Sequence, residues 1–265
     1  MNLEVILTPA ELPSLARLDL RRTVCIVSDV LRATSTFATA LQNGAEAIIP
    51  VSEISEALAF KNSEFGIRNS EFILLGGERN GVRISANGID FDLGNSPREY
   101  TPEKVRGKTI ISTTTNGTRA LRACAGAKMV LAASFLNLGA TAEFLRQNNF
   151  ENVLLVCAGT RGNAALEDIL AAGALCELLV GSSRCNDRTA QRAVPAKISD
   201  SVDTAQHAYA QAKSDLIATI IRDSENARRL LAIPELRDDV AFCLQRDIFP
   251  LVAKMETDGA VRRAA

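Results

Sequence analysis

Several apolar runs in this chain end in polar clusters that could bind an oxyanion or a cation. The first reads Val27-Ser28-Asp29-Val30-Leu31-Arg32-Ala33-Thr34-Ser35-Thr36. A carboxylate at a strand end is a natural magnesium ligand, because hard divalent cations take oxygen donors. Arg32 suits phosphate, since its planar fork meets two oxygens at once. A plainer reading has Asp29 and Thr34 only capping the helix that follows, but a cap has no use for Arg32.

The second cluster is Ser112-Thr113-Thr114-Thr115-Asn116-Gly117-Thr118. Hydroxyls and amides of Thr114, Thr115, Asn116, Gly117 and Thr118 open a helix, where an anion is favoured. Gly117 is expected to allow either close backbone approach to a ligand or a positive φ. The third is Cys157-Ala158-Gly159-Thr160-Arg161-Gly162-Asn163, followed by Glu167 and Asp168. Adjacent helical residues point about 100° apart, so only one of those two acids is expected to face a site. A fourth, loop-like stretch holds Gly76-Gly77-Glu78-Arg79-Asn80-Gly81, then Asp90 to Pro97 with Asn95. Glycine and threonine are common in any turn between strand and helix. It is the recurrence of similar loops in one chain that points to an oxyanion site.

Composition narrows the chemistry. The 265 residues carry a formal charge of -1, so no basic footprint for nucleic acid or an anionic membrane is present. The apolar runs are too short to cross a bilayer. No basic segment precedes an apolar stretch at Met1, so no signal peptide is expected. The six cysteines lack metal-ligand spacing and sit mostly in apolar runs, which suits a reducing, cytoplasmic setting. The one histidine, His207, leaves no histidine-rich zinc site, and no GxSxG accompanies it. GxxxxGK[ST] and GxGxxG are both missing. Cys157 lies too close to Arg161 for a cysteine-phosphatase loop. Asp29 is followed by Val30-Leu31 rather than by the second acid of a haloacid-dehalogenase-type phosphatase.

Elements that would position these clusters follow from periodicity. Strands are expected at Leu3–Leu7, Val24–Ser28, Ala47–Val51, Phe72–Leu75, Thr109–Ser112, Lys128–Ala132 and Asn152–Cys157. Between them lie helices at Thr34–Asn43, Glu53–Lys61, Gly117–Ala125, Asn137–Gln147 and Leu166–Val180. This order predicts an α/β fold with a mainly parallel or mixed sheet covered by helices on both faces. Ligands of such sheets sit at strand carboxyl ends. Residues 1–265 read as one unit, with a division into two subdomains allowed near 181–200. Later helices are expected at Thr204–Ile221 and Glu235–Gln245, a last strand within Ile248–Met255, and a frayed tail from Thr257. The string NSEFGIRNSEF repeats NSEF and reads as a surface insertion.

The ordered series VSDVLRATST, GGERNG, FDLGNSP, TTTNGT, SFLN, CAGTRG, LED and Asn186-Asp187 resembles the 2-phosphosulfolactate phosphatase family, from about Val24 to Pro250. The NSEF insertion and Ser28 depart from that pattern, and Ser224 to Pro250 match it loosely. The resemblance implies magnesium-dependent hydrolysis of (2R)-2-phospho-3-sulfolactate to 3-sulfolactate and phosphate, a step toward coenzyme M. Carried onto this chain, it makes Asp29, Arg32, Glu78 and Arg79 catalytic candidates. Thr34, Asn95, Thr114, Thr115, Asn116, Gly117, Thr118, Gly159, Thr160, Arg161 and Gly162 become substrate-binding candidates. Asp29, Glu78, Glu167 and Asp168 become candidate Mg2+ ligands. Arg32, Arg79 and Arg161 could each meet one anionic group of the substrate. The expected partner is a small anionic phosphate ester, not nucleic acid or membrane, and a homodimer is allowed. Two other readings stay open: a phosphatase of another small phosphate ester, and a non-enzymatic anion-binding module. The latter would gain nothing from Asp29, Glu78 and Glu167.

Overall fold

The computed structural model describes residues 1–63, 68, 70–86, 88–181 and 197–264. The strands are β1 (Asn2–Ile6), β2 (Thr23–Ser28), β3 (Ala47–Pro50), β4 (Ile73–Arg79), β5 (Val82–Arg83), β6 (Ser85–Ala86) and β7 (Ile89–Asp90). They continue with β8 (Thr109–Thr113), β9 (Met129–Ala133), β10 (Asn152–Cys157), β11 (Lys197–Ile198), β12 (Ala253–Met255) and β13 (Val261–Arg263). Valine and isoleucine dominate these runs, and their branched side chains suit a pleated, buried surface. In β2, Val24 and Ile26 face one buried cluster while Cys25 and Val27 face another. Burial on both faces explains why the strand reads as a continuous apolar run rather than an alternating one.

The main sheet runs β11-β1-β10-β2-β9-β12-β13-β3-β8-β4-β5. β11, β1, β10, β2 and β9 are mutually parallel, as are β3, β8 and β4. The hairpin β12–β13 joins the two groups, antiparallel to β9 on one side and to β3 on the other. Strand direction therefore inverts between the groups. Cys25, Val27 and Leu154 of the first group share one apolar cluster with Ile48 and Ile110 of the second. The sheet curls around that shared core. Ala33–Gln42 and Gly117–Ala123 also pack into it, through Phe37, Leu41, Ala120 and Leu121. On the other face of the first group lie Leu138–Gln147, Leu166–Gly181 and Asp200–Ala212.

The α/β expectation holds, as do the seven strands expected up to Cys157, found as β1–β4 and β8–β10, and the five helices expected up to Val180, to within a few residues, β4 excepted. That strand does not stop at Leu75 but continues through Gly76-Gly77-Glu78-Arg79, which read as loop. Gly77 packs so tightly on β8 that a Cβ would lie 2.1 Å from the Thr113 carbonyl oxygen. Asn80 and Gly81, with φ of 56° and 85°, then turn the chain into β5. The tail is not frayed throughout: Val261 is buried and pairs with Ile48, so β13 closes the gap between the two parallel groups. The expected helix Thr204–Ile221 is broken at Lys213–Asp215, and Glu225–Leu231 forms an unforeseen helix capped by Ser224. Residues 64–67 and 69 of the expected insertion and most of the 181–200 division fall outside the described residues, as do Cys185 and Asp187. Among the described residues no helix is long and apolar enough to cross a membrane.

Candidate active site

The carboxyl ends of β2, β4, β8 and β10 converge on one cleft. It is lined by Asp29, Leu31, Arg32, Glu78, Asn80, Gly81, Asn95, Thr115, Asn116, Thr160, Arg161 and Arg229. Asp29 forms its floor, only 6% exposed. The Asp29 amide donates to Thr34 Oγ1 (3.0 Å), and that hydroxyl donates back to the Asp29 carbonyl (2.9 Å). Thr34 is thus closed on the Asp29 backbone, buried and outside the cleft lining. The amides of Ala33 and Gly117 donate to the Asp29 carboxylate. Burial, reinforced by the nearby charges of Glu78 and Glu167, outweighs those two donors and pushes the Asp29 carboxyl up to about 7.

Glu78, at the end of β4, accepts from the Gly81 amide (2.6 Å) and from both the amide and hydroxyl of Thr115 (2.9 Å each). Thr115 therefore lines the cleft but spends its donors on Glu78. Thr114 and Thr118 are closed on each other: each amide donates to the other's hydroxyl at 3.2 Å. The helix N-terminus at Gly117 faces the protein's own anion, Asp29, and Gly117 has no positive φ. Of the loop expected to cradle substrate, Thr115 and Gly117 brace the two acids, and Thr115 and Asn116 line the cleft. Asn116, which caps that helix without a side-chain bond, keeps its amide for the cleft.

The four arginines near these strand ends divide into two kinds. Arg32, 3% exposed, donates to Asp239 (2.7 Å) and to the Gly81 carbonyl (3.0 Å), so its fork is engaged within the protein. Asp239 also accepts from Ser96 (2.7 Å), which ties the FDLGNSP loop to the Arg237–Cys243 helix. Arg79 turns away from the cleft and donates to the carbonyls of Glu78, Thr113 and Ser52 and to the Thr113 hydroxyl (2.7–3.3 Å). It ties the ends of β4 and β8 together. Arg161 stands exposed on the β10 loop with φ of 53°, and Arg229 faces the same cleft from the Glu225–Leu231 helix.

Both oxygens of Asp168 accept backbone amides, from Val30 (2.8 Å) and Gly159 (3.0 Å), which clamps the β2 and β10 loops together. Glu167 accepts from Ser224 (2.7 Å) and Asn226 (2.9 Å). Neither acid lines the cleft. Gly159 has φ of 69° and lies so close to Asn163 and Pro9 that a Cβ would sit 2.3–2.4 Å from them. Gly162 faces an adjoining apolar groove with Pro9 and Leu12 rather than the cleft. Asn95 lines the cleft, and its carbonyl accepts from Thr36. The SFLN motif is architectural: Asn137 binds the Ser134 amide and reaches the carbonyls of Ala132 and Leu251.

Of the four expected metal ligands, Asp29 and Glu78 line the cleft, and Glu167 lies close behind. No group of three acids, histidines or cysteines is arranged to hold a metal among the described residues. Magnesium is commonly held by one or two carboxylates together with substrate phosphate and water. Two acidic side chains at the floor, Asp29 and Glu78, fit that requirement. Arg229 was missed because its helix was missed. The cap Ser224 followed by Glu225 and the apolar pair Leu230-Leu231 was the available signal.

An α/β protein with buried acids and guanidiniums gathered at strand carboxyl ends has the build of a small-molecule phosphatase. The chain belongs to the 2-phosphosulpholactate phosphatase family, whose model matches residues 7–258. It is 39% identical over 244 residues to a "Probable 2-phosphosulfolactate phosphatase" of Caldanaerobacter subterraneus subsp. tengcongensis, covering 92% of each chain. Relatives with the same name occur in Thermotoga petrophila, 41% identical over 86% of each chain, and in a Synechococcus species, 38% identical over 91% of this chain and 92% of the relative.

Proposed function

We propose that this chain is a phosphoric monoester hydrolase that converts (2R)-2-phospho-3-sulfolactate and water to 3-sulfolactate and phosphate in the Asp29 cleft. The observation that carries this reading is the convergence of Asp29, Glu78 and Arg161 in one cleft of a chain belonging to this family. Asp29 and Glu78 would hold a magnesium ion, which when bound would neutralise phosphate charge and polarise the ester. The protein's own part is positioning. Thr115 and Gly81 fix the Glu78 carboxylate, and Ala33 and Gly117 fix Asp29. Arg161 and the Asn116 side chain remain to meet substrate oxygens at the rim. The substrate's phosphate, sulfonate and carboxylate match a cleft with cationic walls and an acidic floor. A cytoplasmic setting accords with Cys25, Cys124, Cys157, Cys176 and Cys243 being free and buried.

The test is a screen of purified protein over small phosphate esters, including 2-phospho-3-sulfolactate, with magnesium and with EDTA. Hydrolysis of the sulfolactate ester in magnesium, abolished by EDTA, is expected. Inertness toward every ester in magnesium would overturn the proposal and favour an anion-binding module.

A further inference from the structure

Among the described residues three guanidiniums line the cleft, Arg32, Arg161 and Arg229, and two of them have no carboxylate partner. Arg32 is committed to Asp239 and the Gly81 carbonyl. Arg229 has a different environment. Among the described residues it makes one hydrogen bond, from Nη2 to the Asn226 side-chain carbonyl (2.7 Å), and its Nε is buried with no acceptor. Asn226 is itself fixed, since its amide nitrogen donates both to the Leu31 carbonyl (2.8 Å) and to Glu167 (2.9 Å). The Glu167–Asn226 relay therefore sets the direction of the Arg229 fork and leaves most of its donors unused.

Among the described residues neither Arg161 nor Arg229 has a carboxylate at salt-bridge distance, whereas Arg32 and Arg98 do. Arg161 and Arg229 are close enough to repel, and burial together with Arg161 pulls the Arg229 guanidinium below its ordinary range. Two like charges held side by side, one with a buried unsatisfied N–H, are a poor arrangement for the empty protein. An oxyanion between them would offset the repulsion between the two charges and accept from their Nη groups at the cleft.

We infer that Arg229 and Arg161 form a second-anion subsite, which selects phosphate esters bearing a sulfonate or carboxylate beside the phosphate. This deepens the proposed function and rests on it. Arg229 is the specificity residue, and Asn226 and Glu167 are positioning residues that act through it. Arg79, the third clamp expected from the sequence, takes no part, because its donors end on backbone carbonyls and Thr113.

The experiment compares wild type, Arg229→Met and Arg229→Lys on three magnesium-supported substrates: 2-phospho-3-sulfolactate, phospholactate and p-nitrophenyl phosphate. The last has no second anion. Arg229→Met is expected to lose on the order of 10–100-fold in kcat/KM on the first two, mainly through KM, and less than about threefold on the third. Arg229→Lys should recover part of the loss. Equal losses on all three substrates, or none on any, would overturn the subsite. Calorimetric titration with 3-sulfolactate provides a readout independent of turnover. Wild type should bind it, and Arg229→Met should bind it at least about tenfold more weakly. If wild type hydrolyses no ester, the proposed function fails and the titration alone decides. Unchanged binding in the variant, or no binding by wild type, then sinks the subsite too. Should Arg229→Met not fold, Arg161→Met carries the same comparison from an exposed loop.

Discussion

Gly117 lies against Asp29: a Cβ at Gly117 would sit 2.7 Å from the Asp29 carboxylate oxygen and 2.6 Å from the Ala33 Cβ. The helix opening at Gly117 therefore sets where the central acid can be. Gly117→Val must displace Asp29 or the helix, and kcat/KM should fall on the order of 100-fold, as small misplacements at a reacting centre do. Thr118→Ala breaks only the reciprocal cap with Thr114, at about 1 kcal/mol of stability, with turnover nearly unchanged. Thermal midpoints measured beside kinetics separate the two effects. A folded Gly117→Val protein with normal turnover would remove Asp29 from the mechanism.

The raised Asp29 carboxyl has a consequence for the metal-free protein. The folded chain keeps a proton that the unfolded chain releases near 3.8, and gives it up only near 7. Between those values the folded state binds more protons, so stability falls as pH rises from about 4 to about 7. Denaturant melts in EDTA across that range should show this slope, and Asp29→Asn should flatten it. An unchanged slope in the variant would mean that Asp29 is not the group responsible.

Asp168 clamps two loops and lies outside the cleft. Asp168→Asn leaves one backbone amide without its acceptor, at a cost of about 1–3 kcal/mol. For a chain of this size the midpoint should drop by roughly 3–10 °C. Magnesium activation should keep its midpoint concentration. A large shift in that concentration with no loss of stability would make Asp168 a ligand after all.

The Arg32–Asp239 pair is buried on both sides, with side chains 2% and 0% exposed. Asp239→Ala strands the Arg32 charge and should destabilise by about 3–5 kcal/mol. Arg32→Lys cannot reach both Asp239 and the Gly81 carbonyl, and should lower both stability and kcat/KM. Chemical denaturation of each variant checks this, and wild-type stability in Asp239→Ala would show that the pair contributes little.

Arg79 and Arg161 should behave oppositely. Arg79→Lys keeps a donor near Thr113 and is expected to change KM less than about threefold, with a modest drop in midpoint. Arg161→Lys should raise KM for the sulfolactate ester about tenfold or more, with stability preserved. Steady-state kinetics on that ester decide it, and the reverse pattern would restore Arg79 to the substrate site.

The fold class and the strand ends at Asp29, Thr113 and Cys157 were legible in the chain, because burial on both faces writes itself as unbroken apolar runs and a helix start as a polar cluster. The motif series also carried the family. What stayed hidden was which atoms of those clusters face outward. Asp168 and Thr118 look like ligands by type, yet their polar atoms are taken up by backbone amides and by Thr114. Arg32 and Arg79 read alike as phosphate clamps, but partners far along the chain, Asp239 for one and Thr113 for the other, claim their forks. β13 and the Glu225–Leu231 helix are short and weakly patterned. They exist because the gap between β12 and β3 takes β13, and because Glu167 accepts from Ser224 and Asn226 at the start of the helix. Residue type and spacing depend on local chemistry, which one chain records. The direction of a donor depends on who else reaches it, and only the tertiary packing brings Glu167, Asn226 and Arg229 into line.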